Sequence, residues 1–173
     1  MNPGSAKSGV ILWHEGPRAP LRHLFELADD SSTQIDSYIH LGRVLVSRNA
    51  RGEILGHLQL IPAASADTVE LNSIAVREDH QRTGIGRRLV DRALAICREE
   101  GVQTVTVTTA TATATADLDN VRFYQRCGFR ATTIERDVFT EAKGYPPQLE
   151  ANGILVRDSI TFTLLLEAAE LVD

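Results

Sequence analysis

Residues 71–89 gather groups that can hold an anion. An apolar stretch, Leu71-Asn72-Ser73-Ile74-Ala75-Val76, runs into Gln81-Arg82-Thr83-Gly84-Ile85-Gly86, and a helical pattern opens at Gly86. A glycine turn that feeds a helix N-terminus aims several backbone N–H groups, and the positive end of the helix dipole, at one point. Arg82, Arg87 and Arg88 place cations beside it. A phosphate-bearing ligand suits such a cradle. Neither familiar phosphate loop fits, because the chain lacks Gly-x-x-x-x-Gly-Lys-Ser/Thr here and Leu89 stands where a dinucleotide fingerprint needs its third glycine. Gln-x-x-Gly-x-Gly remains. An ordinary strand-to-helix reversal would use the same glycines.

Gln81–Gly86 after a strand resembles the acetyl-CoA loop of the GNAT N-acetyltransferase superfamily. Downstream, Asn120-Val121-Arg122-Phe123-Tyr124-Gln125-Arg126-Cys127-Gly128-Phe129 is similar to that superfamily's helix-and-strand motif. Their order agrees with the family's. The resemblance implies a single α/β domain over residues 10–173, with a mixed central β-sheet flanked by helices. Two parallel strands, Thr68–Val76 and Val102–Thr108, are then expected to part and admit the pantetheine arm. It also implies an acyltransferase that passes the acetyl group of acetyl-CoA to a primary amine of a small molecule, by direct attack in a ternary complex and without a metal.

By the same resemblance, Ile74, Ala75 and Val76 pair their backbone with pantetheine, and their strand supplies an N–H for the oxyanion. The backbone of Arg82, Thr83, Gly84, Ile85, Gly86 and Arg87 holds the pyrophosphate, and Asn120 contacts CoA. Tyr124 matches the tyrosine that protonates the CoA thiolate, and Glu70, eleven positions before Gln81, matches a glutamate used as general base in some members. Two departures stand out. Asn72 occupies a position where many relatives carry a second acid, and Asp117, seven residues before Tyr124, replaces a frequent asparagine.

Acyl transfer to an amine needs a free-base nitrogen, an N–H donor for the oxyanion and a proton for the departing thiolate. An alkylamine, with a pKa near ~10, arrives protonated at neutral pH and must lose a proton on the enzyme. Strict alternation along the strand places Glu70, Asn72, Ile74 and Val76 on one face, directing the Glu70 carboxylate into the cleft. A strand-start charge facing water is the other reading. Tyr124 follows Asn120 by four residues, so the two share a helix face. Packing beside Phe123 and Phe129 would also explain a tyrosine there.

The elements that must position these residues follow from periodicity. Val10–Trp13 reads as a strand after a Gly- and Ser-containing tail, residues 1–9. Helical spacing covers Pro17–Ala28 through Leu21, Leu24, Phe25 and Ala28, and a second short helix covers Ile35–Ile39. Arg43–Ser47 and Glu53–Ile61 form a hairpin across Asn49–Gly52. A helix from Gly86 to Glu100 buries Leu89, Val90, Ala93, Leu94 and Cys97, and Gly101 ends it. The alternation in Val102–Thr108 changes phase at Thr108-Thr109, which predicts a bulge or strand end before the Thr-Ala run 109–116. Asp117 or Asp119 caps a helix through Cys127, Gly128 ends it, and Phe129–Phe139 and Ser159–Leu166 are the closing strands. The long connection Thr140–Asp158 carries Asn152-Gly153, a hairpin signal. With the N-terminal helices it is expected to line the acceptor pocket.

The chain has 173 residues, 43% of them hydrophobic, and a net charge of −5. That size suits one domain, and the negative charge argues against a nucleic-acid partner. No apolar run has membrane-spanning length and no signal-peptide pattern opens the chain, so a cytoplasmic protein is expected. Cys97 and Cys127 lack metal-ligand spacing and read as buried thiols. A homodimer is compatible with these features. A non-catalytic acyl-CoA sensor and an acetyltransferase of protein N-termini remain open beside the small-amine enzyme.

Overall fold

The computed structural model describes residues 9–110 and 119–166. Residues 1–8, most of the Thr-Ala run and Asp117 lie outside that range. The strands are β1 (Val10–Trp13), β2 (Arg43–Arg48), β3 (Ile54–Pro62), β4 (Thr68–Val76), β5 (Thr104–Ala110), β6 (Arg130–Glu135), β7 (Glu150–Ala151), β8 (Ile154–Leu155) and β9 (Ser159–Leu165). The α-helices are α1 (Arg22–Glu26), α2 (Ser32–Tyr38), α3 (Ile85–Glu99) and α4 (Asp119–Arg126). Seven strands form one sheet in the order β1-β2-β3-β4-β5-β9-β6. Its pairs are antiparallel except β4 with β5, which the α3 crossover makes parallel.

Each face of this sheet is covered by a separate apolar cluster. On one, Leu89, Val90, Ala93, Leu94 and Cys97 of α3 pack on Leu45, Leu58 and Leu60 of β2 and β3, as the helical stripe predicts, and Ile96 joins them. On the other, Leu21, Phe25, Ile35 and Ile39 from the α1–α2 region cover Val44 and Val46. The alternation of β2 therefore feeds both cores.

Several expected elements are modified by local chemistry. The helix expected over Pro17–Ala28 is a 3-10 turn at Ala19–Leu21 followed by the five residues of α1. Pro20 brings no N–H to the first turn, and the N–H groups of Ala28 and Asp29 both converge on the Phe25 carbonyl, tightening the other end. The second helix starts earlier than expected because the Ser31 hydroxyl accepts from the Gln34 N–H at 3.2 Å. No bulge interrupts β5 at Thr108-Thr109: its ladder with β9 runs unbroken from Thr104↔Leu165 to Ala110↔Ser159. Thr108 meets Thr161 across it, hydroxyl to hydroxyl at 3.0 Å. The strand expected to reach Phe139 stops at Glu135, where Asp137, at φ 53, turns the chain and pairs with Arg157. The Asn152-Gly153 hairpin is present as β7–β8, with both turn residues at positive φ.

Leu89 is 0% exposed between α3 and the sheet. Leu89→Ala should lower unfolding free energy by about 2–5 kcal/mol, read as a reduced urea midpoint at unchanged slope.

Candidate active site

A cleft of about 1290 Å³ opens where β4 and β5 separate. The two strands are in register only at Thr68↔Thr104, Val69↔Val105 and Glu70↔Thr106. Beyond Glu70 they diverge, so the β5-facing backbone groups of the second half of β4 are left outside the ladder. The parting expected from the sequence is therefore observed.

Against β3, β4 carries one extra residue. Gln59 faces Ser73 and Leu60 faces Leu71, which leaves Asn72 as a bulge. This corrects the expected alternation. Leu71 and Ile74 both join the α3-side cluster, with Val76 packed against it. Glu70 sits opposite Ile61, while Asn72 donates to the Gln59 side chain at 3.0 Å and Ser73 bonds to His57, all on the α1–α2 side. Glu70 and Ile74 thus occupy opposite faces of one strand, because an inserted residue reverses the period-two pattern. Glu70 lines the cleft, half-buried. Burial raises its pKa, and its charged form gains no compensating cation.

The loop after β4 is held by its own side chains. Gln81 Nε2 donates to the Val76 carbonyl at 3.1 Å, and the Thr83 hydroxyl donates to the His80 carbonyl at 2.6 Å. Gly84, the residue before α3, has φ 84, a conformation in which an L side chain is strained. The first intrahelical bond runs from Arg88 N to Gly84 O at 3.1 Å. The N–H groups of Ile85, Gly86 and Arg87 thus precede the helical ladder and are available to an anion. Ile85 offers only its backbone, since its side chain is 1% exposed in the core. A Cβ on Gly86 would point at the Phe123 ring, 3.5 Å away. The Arg87 guanidinium is engaged with Asp91, at 2.8 Å, and with the Arg126 carbonyl, at 2.5 Å, tying α3 to α4. Arg82 stays exposed at the mouth.

Asn120 and Tyr124 share the α4 face that lines the cleft. Tyr124 is also 6% exposed and packed against Phe123, Phe129 and Phe162, so the structural and chemical readings of this residue coexist. Burial, with Cys127 beside it, raises the phenol pKa well above its ordinary value. At neutral pH Tyr124 is a proton donor.

Residues that no motif announces complete the far end of the cleft: Asp29, Tyr38, Phe139 and Tyr145. The 140–158 segment is clamped there. The Ser31 hydroxyl donates to the Lys143 carbonyl at 2.7 Å, and Gly144, at φ 80, sits so close that a Cβ would lie 2.7 Å from Thr33 Oγ1. The N-terminal helices and this loop both line the cleft.

Below the bulge lie two polar pairs. The Asp29 carboxylate only accepts, so Tyr38 donates to it, at 3.1 Å. His57 Nε2 and the Ser73 hydroxyl share a hydrogen bond of 2.9 Å. Nδ1 of His57 is buried without a partner, so the tautomer protonated at Nε2, which leaves a lone pair there rather than an N–H, costs less. His57 is 0% exposed and stacked on Phe25 at 4.2 Å. Burial, followed by the charge of His23, pushes its pKa down to about 3.

A mixed sheet opened between two parallel strands, with helix N–H groups at one end of the gap and a half-buried acid at the other, is the framework of an acyltransferase. The chain belongs to the acetyltransferase (GNAT) family, whose model matches residues 11–129. It is 30% identical over 144 residues to YvbK of Bacillus subtilis, an uncharacterized N-acetyltransferase, covering 83% of this chain and 88% of that one. A Bacillus subtilis acetyltransferase solved with CoA superposes at a TM-score of 0.78, with 30% identity, over 91% of this chain and 98% of the other. A GNAT acetyltransferase from Elizabethkingia anophelis with acetyl-CoA bound gives 0.79 at 30% identity, over 91% and 97%. Among the described residues no helix is long and apolar enough to cross a membrane.

Because the folded pKa of His57 lies below its unfolded value of about 6.5, its contribution to stability is full above that value and is lost as pH falls toward 3. Between pH 7 and pH 5 the parent should therefore lose about 2 kcal/mol more unfolding free energy than His57→Gln, measured by urea titration at both pH values.

Proposed function

We propose that this chain transfers the acetyl group of acetyl-CoA to the primary amine of a small molecule. The observation that carries the reading is the divergence of β4 from β5 beside the open N–H groups of α3, with Glu70 and Tyr124 facing the same gap. The backbone of Arg82–Arg87 holds the pyrophosphate, with Gly86 keeping the amides uncovered. The backbone of Ile74, Ala75 and Val76 pairs with the pantetheine arm along the edge that β5 leaves, and Asn120 contacts the cofactor from α4.

In the reaction Glu70 takes a proton from the ammonium, and the free amine nitrogen attacks the thioester carbonyl carbon. An N–H of β4 stabilises the oxyanion; the C–S bond then breaks, the Tyr124 hydroxyl gives its proton to the thiolate, and the second proton lost by the nitrogen restores the phenol, so that amide, thiol and one proton on Glu70 result. A raised Glu70 pKa makes it a stronger base than an ordinary carboxylate, and a raised Tyr124 pKa keeps its proton in place until a thiolate forms. The clamped 140–158 segment narrows the acceptor end, which favours a small amine over a peptide terminus.

Tyr124→Phe keeps the ring packing and removes the proton source. Turnover should fall about 10²-fold while acetyl-CoA affinity, measured by calorimetry, is kept. Unchanged turnover would remove Tyr124 from the mechanism, and a parent inert across an amine panel would turn the reading to a cofactor sensor. For Glu70 the pH profile decides. Ionised Glu70 is the active form and its pKa is raised, so the parent should lose activity toward acid earlier than an ordinary carboxylate would dictate. Glu70→Gln should lose turnover most at neutral pH and recover partly at high pH, where more amine is already deprotonated. A parent-like profile in this variant would assign proton removal to another group.

A further inference from the structure

The acceptor end of the cleft carries more recognition chemistry than a single amine needs. The chain has three tyrosines, and all three, Tyr38, Tyr124 and Tyr145, line the cleft. Two of them flank Asp29. Tyr38 donates to Asp29 Oδ2 at 3.1 Å, the Ser31 N–H donates to Oδ1 at 2.9 Å, and Tyr145 lines the same end of the cleft. Phe139 meets Tyr145 edge to face, with ring centroids 5.0 Å apart. A carboxylate offers about four acceptor positions, so two internal donors, one on each oxygen, orient it and leave acceptor positions for a ligand.

Positive charge is confined to one end of the cleft, where Asp119 also lines it. Its arginines, Arg82, Arg87, Arg122 and Arg126, lie on the loop and on α3 and α4, at the end assigned to the cofactor. The opposite end is lined by Asp29, Asp30, Glu70 and Glu150 and, among the described residues, by neither lysine nor arginine. Glu70 is taken up by the reacting nitrogen. An oriented carboxylate between aromatic faces is the chemistry that holds an alkylammonium, through charge and cation–π attraction together.

We propose that Asp29, walled by Tyr38, Phe139 and Tyr145, binds a second, non-reacting ammonium of the acceptor, so that the preferred substrates are diamines. This rests on the acetyl-transfer reading, because that reading places the reacting nitrogen at Glu70. A monoamine of equal length would leave the subsite unfilled.

The test compares α,ω-diamines with n-alkylamines of the same carbon number, using thiol release from acetyl-CoA in the parent and in Asp29→Asn. The amide oxygen still accepts from the Ser31 N–H, and the NH2 group donates to the Tyr38 oxygen instead of accepting from it, so the side chain keeps two anchors. The parent should prefer the diamine by about tenfold or more in kcat/KM, and the preference should fall toward one in Asp29→Asn. Equal kcat/KM for the two amines in the parent would overturn the subsite while leaving the transferase reading intact. A preference unchanged in Asp29→Asn would overturn it as well. Calorimetric titration of CoA-loaded protein with the diamine separates the two ideas. Binding that depends on Asp29 without turnover would uphold the subsite and sink acetyl transfer, whereas neither binding nor turnover would sink both.

Discussion

One residue more on β4 than on β3 sets the geometry of the whole site. In a regular ladder Glu70, Asn72, Ile74 and Val76 would share a face, and every second residue of β4 would look into the same layer. The bulge at Asn72 breaks this: Glu70 remains on the α1–α2 side, while Ile74 and Val76 rotate onto the α3 side. It also increases local twist. Just beyond Glu70, β5 no longer follows β4 and instead keeps its ladder with β9. The cleft exists because β5 pairs fully on one side and only at its start on the other.

A strand bent in this way needs support, and polar contacts supply it. Asn72 is tied to Gln59, whose amide in turn donates to the carbonyls of Tyr38 and Leu41, at 2.8 and 2.9 Å. Next to it, Ser73 bonds to His57, and Tyr38 bonds to Asp29. Buried polar groups are costly when unpaired, so contacts in which each donor finds an acceptor specify one arrangement of β3, β4 and α2. The single unmatched position, Nδ1 of His57, is a lone pair of a neutral ring rather than a buried charge. The wall of the cleft is thereby continuous with the core beneath the bulge.

Neutral and charged groups are sorted accordingly. Glu70 and Tyr124 are both shifted upward by loss of solvent rather than by a specific ion partner. On the proposed reading both shifts serve one proton balance, from the amine to the thiolate. Arg87, although it stands in the phosphate loop, spends its guanidinium on Asp91 and Arg126. On the proposed reading the loop holds its anion mainly through backbone amides, which are fixed by the helix and need no side chain to be ordered.

The sequence by itself determined the class of fold and one half of the site. Gln81–Gly86 and Asn120–Phe129 are local motifs, and a strand, a glycine turn and an amphipathic helix such as α3 are dictated by residues within a few positions of one another. Gly84 at positive φ and the buried stripe from Leu89 to Cys97 follow from such short-range rules. The tertiary structure decided the rest. The bulge at Asn72 depends on how β3 offers Gln59 and Leu60, and the continuity of β5 through Thr108-Thr109 depends on β9, more than fifty residues away. The meeting of Asp29, Tyr38, Phe139 and Tyr145 has no signature because they come from segments about a hundred residues apart, brought together when Gly144 seats on Ser31 and Thr33. Periodicity reports on the faces of one element, and contacts between distant elements are set only when their surfaces pack.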